Sequence, residues 1–309
     1  MRSLVVLAAA LLAAGAAPAE AAWQRLPGAP EARSEVAAAV SGGRIVVIGG
    51  LPAEGPSSAR VDAYDVRRRV WSRLADLPVG VDHAMAAAKG DRVFLLGGYV
   101  DGHDAHRASG AAYVLEDGRW RALPRMPGPR AAGGAAVVRD TLYVMAGVSA
   151  PGMLARRAYA LDLRTLRWRI VPGPTPREHL GVAALGGLIY ALGGRTAGFD
   201  TNRATAERYD PRRRAWSALP DMPTARGGTA AASAGGLVVS VGGEGDEGRT
   251  FPQAEAFDPA IRRWRSLAAS PAPRHGLGVV GLRGRIYAAL GGPVPGRSAS
   301  TDLLVLGVP

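Results

Sequence analysis

Residues 181–219 read GVAALGGLIYALGGRTAGFDTNRATAERYDPRRRAWSAL. Two short apolar runs, at 181–185 and 188–192, are each followed by a pair of glycines. An alternating segment with Tyr209 comes next, and a polar turn then leads to a last apolar segment with Trp216. Apolar runs of four to eight residues bounded by turn residues are typical of β-strands. The stretch therefore predicts four short strands.

The same pattern recurs along the whole chain. Its six tryptophans are spaced by 48, 49, 48, 48 and 48 residues, at Trp23, Trp71, Trp120, Trp168, Trp216 and Trp264. A glycine pair keeps step with them, at Gly49-Gly50, Gly97-Gly98, Ala146-Gly147, Gly193-Gly194, Gly242-Gly243 and Gly291-Gly292. Five units also carry an aromatic residue between these two positions, at Tyr64, Tyr113, Tyr159, Tyr209 and Phe257. A shared period of this length indicates a repeat architecture.

The repeated segments resemble the Kelch motif. "IVVIGG" followed by "VDAYDVRRRVWSRLADLP", and "IYALGG" followed by "AERYDPRRRAWSALPDMP", combine a hydrophobic run, a double glycine, a separated aromatic residue and a tryptophan. The resemblance covers nearly all of the chain after residue 21. It implies an all-β fold, a six-bladed Kelch-type β-propeller of four-stranded blades. Ala146 and the aliphatic run from Leu303 to Leu306 depart from the motif.

The two ends of the repeat region complement each other. Trp23 to Leu26 form an outer strand with no inner strands before it, whereas the last unit lacks a tryptophan strand. We therefore expect the N-terminal strand to complete the C-terminal blade and to remove a free sheet edge. The predicted blades are approximately 28–77, 78–126, 127–174, 175–222, 223–270, and 271–309 together with 22–27.

Residues 1–21 have the features of a signal peptide. Arg2 precedes an apolar stretch from Leu4 to Ala17, and small residues follow in a cleavage context. We expect export to the periplasm or secretion, and a single propeller domain over 22–309. The sequence has no cysteine, so neither a lipid-modified cysteine nor a disulfide can contribute.

The formal net charge is +12, and nearly all of the basic residues are arginines. This balance favours anionic partners, and we expect an anionic glycan or an acidic peptide. The arginine runs 67–69 and 212–214 would add attraction to an anionic envelope surface; a solvated basic rim is the alternative interpretation. Nucleic acid is not expected, because export would separate the protein from it and no aromatic stacking platform is evident. We expect a monomer without a cofactor.

A third series consists of arginines that precede the first strand of five units. It comprises Arg33, Arg130, Arg177, Arg226 and Arg274, and the second unit has Val81-Asp82-His83 instead. The Kelch resemblance implies that these turns open at one mouth of the central channel. Five guanidiniums there would form an anion-binding site. In the alternative interpretation, each arginine bonds the carbonyl of a neighbouring loop.

The segments that follow the glycine pairs vary most between units, so they are candidates for ligand specificity. We expect Tyr99, Arg195 and Glu244 in these segments to contact a ligand. The cluster Asp101 to His106 has ligand-type side chains but no recognised metal spacing, and no metal site is predicted. Three histidines stand near first strands and could act as general bases, contact anions or pack the loops: His83, His179 and His275.

The Kelch resemblance also implies two enzymatic alternatives. Kelch-like copper radical oxidases need a cysteine–tyrosine crosslink, which a chain without cysteine cannot form. Periplasmic Kelch proteins that interconvert sialic acid anomers use an acid/base carboxylate and a cation. The segment from Gly243 to Thr250 resembles their Gly-Glu…Arg region, so Glu244 would be the acid/base and Arg249 the cation. Ligand binding without catalysis is the favoured function, and sugar mutarotation is the alternative.

Overall fold

The computed structural model describes residues 22–100 and 107–308. The predicted signal peptide and the cluster Asp101 to His106 lie outside the described residues. No helix within the described part of the chain is long and apolar enough to cross a membrane.

The described residues form six antiparallel four-stranded sheets, which are the blades. Blades 1 and 2 consist of β2 (Ala37–Ser41), β3 (Arg44–Ile48), β4 (Val61–Asp65) and β5 (Val70–Arg73), then β6 (Met85–Lys89), β7 (Arg92–Leu96), β10 (Ala112–Glu116) and β11 (Arg119–Ala122). Blades 3 and 4 consist of β12 (Gly134–Val138), β13 (Thr141–Met145), β16 (Arg157–Asp162) and β17 (Trp168–Pro172), then β18 (Gly181–Leu185), β19 (Leu188–Leu192), β20 (Ala206–Asp210) and β21 (Ala215–Ala218).

Blade 5 consists of β22 (Ala230–Ala234), β23 (Leu237–Val241), β24 (Ala254–Asp258) and β25 (Arg263–Ser266), and blade 6 of β26 (Gly278–Leu282), β27 (Arg285–Ala289), β28 (Leu303–Gly307) and β1 (Gln24–Leu26). Two small hairpins lie between strands of blades 2 and 3: β8 (Tyr99–Val100) with β9 (Arg107–Ala108), and β14 (Val148–Ala150) with β15 (Met153–Leu154). The first strand of each blade contacts the first strands of both neighbouring blades, so these six strands close a ring. The predicted six-bladed propeller is confirmed.

The N-terminal strand closes the ring as predicted. Gln24 is aligned with Val305 and Leu26 with Leu303, so β1 completes the sheet of blade 6. Arg25 forms an ion pair with Asp302, and the Trp23 indole donates a hydrogen bond to the Ala268 carbonyl at 2.7 Å. Pairing of β1 with β28 removes the edge that blade 6 would otherwise expose.

The tryptophans are spaced regularly because each one joins its blade to the preceding blade. All six indole nitrogens donate to a backbone carbonyl near the end of the preceding blade's outer strand, at 2.7–3.0 Å. The acceptors, in chain order of the tryptophans, are the carbonyls of Ala268, Pro27, Ala75, Pro124, Pro172 and Pro220.

The glycine pairs occur where the next blade's backbone comes too close for a side chain. In five blades the second residue of the pair donates its N–H to the next blade at the position of the arginine series, as Gly98 does to the Arg130 carbonyl at 2.8 Å; in blade 6 the first residue, Gly291, makes this bond. Gly97 has a φ of +60°, and a Cβ added to it would lie 2.0 Å from the same carbonyl oxygen. Glycine fits Gly97 in both conformation and space, whereas Ala146 and Leu290 adopt the same left-handed conformation at the equivalent positions of blades 3 and 6.

The arginines of the series lie inside the blades. Their exposed fractions are between 0% and 1%, and each guanidinium bonds backbone carbonyls. In blade 1, Arg33 donates to the carbonyls of Gly49 and Arg60 at 2.7 and 2.9 Å. In blade 5, Arg226 bonds the Glu255 carboxylate at 2.9 Å. Burial lowers the pKa of Arg226 to about 10, and Glu255 opposes that shift.

The three residues that begin at each arginine position form an entrance turn before the first strand: 33–35, 81–83, 130–132, 177–179, 226–228 and 274–276. The last residue of every entrance turn is left-handed, with φ between +49° and +66°. It is glycine in blades 5 and 6 but Glu35, His83, Ala132 and His179 in the others. Backbone hydrogen bonds of 2.8–3.1 Å link neighbouring entrance turns, such as His83 N to Glu35 O. The turns therefore hold their side chains in fixed places around the channel.

We expect Arg226→Ala to lower the free energy of unfolding by about 3–5 kcal/mol, because it leaves the Glu255 carboxylate buried without its charged partner. Arg249→Ala is the matched control: its side chain is 75% exposed, so the change should stay within about 0.5 kcal/mol. Urea denaturation measures both values. An unchanged unfolding midpoint for Arg226→Ala would contradict a structural role for the arginine.

We expect Ala132→Gly to stabilise the protein by about 0.5–1 kcal/mol, since a left-handed alanine costs about 1–2 kcal/mol and glycine loses more chain entropy on folding. The control is Ala136→Gly in β12, where the conformation is ordinary and the same change should destabilise by about 0.5–1 kcal/mol. Denaturant unfolding of the two variants gives the comparison. Equal destabilisation of both would show that the turn is not strained.

Candidate functional site

A cavity of about 450 Å³ lies at the channel mouth where the entrance turns meet the loops that follow the glycine pairs. A smaller cavity of about 110 Å³ lies next to it in the channel, lined in all six blades by the last residue of the entrance turn and the residue that follows it. Glu35, His83 and His179 line both cavities. These three side chains therefore lie at the passage from the mouth into the channel.

The predicted ligand residues Tyr99, Arg195 and Glu244 all line the mouth cavity. Each is the first residue after its blade's glycine pair, and its backbone pairs with the middle residue of the entrance turn, as Arg195 does with Glu178. The same repeat position in three blades thus places all three side chains in the lining of the cavity. Their role in binding a ligand remains a prediction.

The other predicted site residues lie elsewhere. Arg33, Arg130, Arg177, Arg226 and Arg274 are absent from the cavity lining, because their guanidiniums turn back into their own blades. The prediction that these arginines lie at the channel mouth is therefore wrong. They bond backbone carbonyls, as the alternative interpretation expects. Arg249 is also outside the lining: its side chain is exposed and forms an ion pair with Glu247. Arg195 is the guanidinium that accompanies Glu244.

The side chain of Glu244 is only 2% exposed, and several neighbouring groups contact its carboxylate. Its Oε1 accepts from Arg195 Nη1 at 2.7 Å, and its Oε2 accepts from the Gly296 N–H at 3.1 Å. His275 Nδ1 lies 3.3 Å from the same Oε2. The Arg195 guanidinium also lies over the Phe199 ring, 4.8 Å from its centroid. This arrangement fixes a carboxylate, an imidazole and a guanidinium side by side.

Glu35 joins two histidines. Its Oε1 lies 3.0 Å from His275 Nδ1, and its Oε2 lies 3.2 Å from His83 Nε2. Burial alone would raise the pKa of Glu35, but the facing imidazoles hold it well below its ordinary value. Burial likewise opposes the charged form of His83, yet Glu35 and Asp82 raise its pKa to about 9. The carboxylates of Glu35 and Asp82 therefore stabilise a positive charge on His83 in the passage.

His179 and Tyr99 complete this side of the cavity. The His83 ring contacts both of them edge-on, with centroid distances of 4.8 Å to His179 and 5.2 Å to Tyr99. Burial and the neighbouring Arg195 lower the pKa of His179, so its imidazole is neutral. Burial raises the pKa of the Tyr99 hydroxyl well above its ordinary value. Both groups offer neutral hydrogen-bonding atoms.

Part of the cavity lining is apolar. Blade 3 has alanines at the last two positions of its entrance turn and contributes Val148, Pro151 and Leu154 to the cavity lining. Leu51 of blade 1 also lines the cavity. The cavity thus combines a charged wall with an apolar wall.

Sequence reasoning missed Glu35, Glu178 and Phe199. Glu35 and Glu178 stand one or two residues beyond an arginine of the series, so alignment of the units at that position would have singled them out. Two groups of side chains within the described residues place one possible metal-ligand atom each within 4.8 Å of one another: Glu35, His83 and His179, and Glu35, Glu244 and His275. Their members come from different blades, so no local spacing in the sequence reveals them.

Comparison with known proteins gives both family and fold. A family model described as the KLHDC2/KLHL20/DRC7 Kelch-repeats domain matches residues 82–292, and a Kelch motif model matches residues 32–78. Kelch-like protein terF of Aspergillus terreus is 33% identical over 276 residues, which are 80% of this chain and 60% of that protein. Kelch domain-containing protein 8B of Rattus norvegicus is 30% identical over 144 residues, 43% of this chain and 40% of that protein.

These alignments span less than two thirds of the length of either relative. Among solved structures, the structure of YjhT superimposes with a TM-score of 0.79 at 15% identity, covering 92% of this chain and 97% of that one. This likeness concerns the fold. The matched family model, the repeated motif and the six four-stranded blades agree, and the chain belongs to the Kelch-repeat family.

Proposed function

We propose that the protein binds a carbohydrate bearing a carboxylate in the channel-mouth cavity, without catalysing a reaction on it. The observation that carries the proposal is the pairing of a charged wall with an apolar wall in a cavity of about 450 Å³. A volume of this size is typical of small-molecule sites. We also propose that the protein acts outside the cytoplasm, as the signal-peptide features of residues 1–21 indicate.

The two walls complement the two kinds of surface on a sugar. Hydroxyl groups would donate to the carboxylates of Glu178 and Glu244 and to the ring nitrogen of His179. The C–H face would pack against Val148 and Leu154. Each hydrogen bond to a charged group contributes about 1.5–3 kcal/mol, and the apolar face adds buried area. Fixed polar groups on one side and apolar groups on the other would set the orientation of the sugar.

Arg195 supports a single carboxylate on the ligand. Its guanidinium stands between Glu178 and Glu244, at 3.5 and 2.7 Å, and lies at the cavity surface. Arg297 adds a second, exposed guanidinium to the lining. Several carboxylates on one ligand would instead be repelled by the glutamates of the cavity. An acidic peptide therefore fits less well than a sugar with one acidic group.

A second candidate function, anomer interconversion, is favoured by one arrangement. The two carboxylate oxygens of Glu244 have different partners: Oε1 lies 2.7 Å from Arg195 Nη1, and Oε2 lies 3.3 Å from His275 Nδ1. A carboxylate beside an imidazole can move a proton to and from a sugar hydroxyl, and a guanidinium can hold an acid group. In this alternative Arg195 takes the role that the sequence assigned to Arg249.

We expect Glu244→Gln and Arg195→Met each to weaken binding of an acidic oligosaccharide at least about tenfold, because each removes a charged hydrogen bond to the ligand or to its partner. Isothermal titration calorimetry of the full chain measures the affinity. The panel contains acidic oligosaccharides, neutral oligosaccharides and an acidic peptide. Tightest binding of the peptide would overturn the ligand class.

The neighbouring pair Glu247→Gln and Arg249→Met provides matched controls, since these exposed side chains carry the same charges and lie outside the cavity lining. Their affinities should equal that of the unmodified protein. Equal losses in the cavity variants and the controls would place the binding site elsewhere.

For the second candidate, two-dimensional exchange NMR on an acidic sugar would show anomer exchange accelerated by the protein. We expect Glu244→Gln to remove the acceleration and Glu247→Gln to retain it, because Glu244 contacts His275 whereas the exposed Glu247 pairs with Arg249. An unmodified protein that binds the sugar without accelerating exchange would exclude mutarotation and leave the binding function intact.

A further inference from the structure

Three possible metal ligands occupy the same repeat position in three blades. Glu35, His83 and His179 are the last residues of their entrance turns, and one ligand atom of each lies within 4.8 Å of the others. We propose that Glu35, His83 and His179 bind one divalent transition-metal ion at the passage between the mouth cavity and the channel. Two imidazoles and one carboxylate are a ligand set that zinc and iron sites use.

His83 has the outer-shell partner that metal-binding histidines usually have. Its Nδ1 lies 2.5 Å from Asp82 Oδ1, and the other oxygen of Asp82 accepts from Ser57 Oγ at 2.5 Å. Nδ1 can donate its proton to Asp82 while a metal ion replaces the proton on Nε2, which lies 3.2 Å from Glu35 Oε2. A carboxylate in this position orients a histidine and increases its basicity as a ligand.

His179 has a buried ring nitrogen that makes no hydrogen bond. The side chain is nine-tenths buried, and Nδ1 has no hydrogen-bond partner. The Glu178 carboxylate lies 3.4 Å from it without hydrogen-bond geometry. Buried polar atoms are usually satisfied, so such a nitrogen marks a group that is available to a ligand. The imidazole also packs edge-on against His83, which keeps the two rings together.

The charges around the passage suit a cation at this group better than at the neighbouring one. Asp82 and Glu178 stand beside the two histidines and add negative charge. In the second group Arg195 pairs with a possible ligand itself, Glu244, at 2.7 Å, whereas beside the first group it contacts Glu178, which is not one of the three ligands. Mixed nitrogen and oxygen ligands favour Zn²⁺, Co²⁺ or Fe²⁺ over Mg²⁺ and Ca²⁺, which prefer oxygen.

Three protein ligands leave coordination positions free. A tetrahedral ion would direct its fourth position toward water or a bound molecule, as catalytic zinc sites do. Because all three ligands also line the mouth cavity, that position is accessible to small molecules. The metal site shares His179 with the carbohydrate proposal but does not rest on it, and its test uses metal ions alone.

The test uses the tag-free full chain with His103→Ala and His106→Ala as background, which leaves His275 as the one histidine outside the proposed site. After chelator treatment, titration with ZnCl₂ should show one site per chain, and CoCl₂ should give the visible absorption bands of bound Co²⁺. CaCl₂ should give no comparable binding. His179→Asn and Glu35→Gln should each weaken Zn²⁺ binding at least about tenfold; Asn tolerates the left-handed conformation at 179.

Two further variants separate this group from its neighbour. Asp82→Asn should weaken Zn²⁺ binding by about 10–100-fold through the lost outer-shell charge, whereas Glu244→Gln should leave it within about threefold. Thermal unfolding confirms that each variant is folded. Absence of Zn²⁺ and Co²⁺ binding by the background protein overturns the proposal. So does unchanged Zn²⁺ affinity in His179→Asn, or a loss confined to Glu244→Gln.

Discussion

The propeller depends on one backbone hydrogen bond that is repeated at every junction between blades. A glycine that follows the second strand of each blade donates its N–H to the carbonyl at the arginine position of the next blade, at 2.8–2.9 Å in all six junctions. The last of these bonds, from Gly291 to Arg33, joins blade 6 to blade 1. This close approach requires glycine, and it also sets where each entrance turn begins. The closed ring of blades therefore determines the positions of the side chains that line the cavity.

The sequence predicted the ring well because its determinants are local and periodic. The glycine pair, the aromatic residue and the tryptophan recur with one period, and the tryptophan indole makes the same hydrogen bond in every blade. Even the closure by β1 follows from two incomplete units at the ends of the repeat region. These features can be predicted from the sequence without knowing the direction of any side chain.

The candidate site was predicted only in part, because it depends on direction and on contacts between blades. Arg177 and Arg195 are both arginines near one glycine pair, yet the first is buried among carbonyls and the second lines the cavity. The sequence does not distinguish the two directions. Glu35 and His83 are 48 residues apart and His179 lies a further 96 along the chain, so their meeting follows only from the ring. The net charge of +12 was similarly misleading about the mouth, where three glutamates and three histidines line the cavity beside two arginines.

The strand β1 also determines the order in which the protein can fold. Pairs within a blade join nearby segments, but Gln24 must find Val305, 281 residues away. Closing so long a loop costs the most chain entropy and comes late. Until then β28 has an unpaired edge that other chains can join. Newly made molecules are thus most prone to aggregate just before the two ends meet.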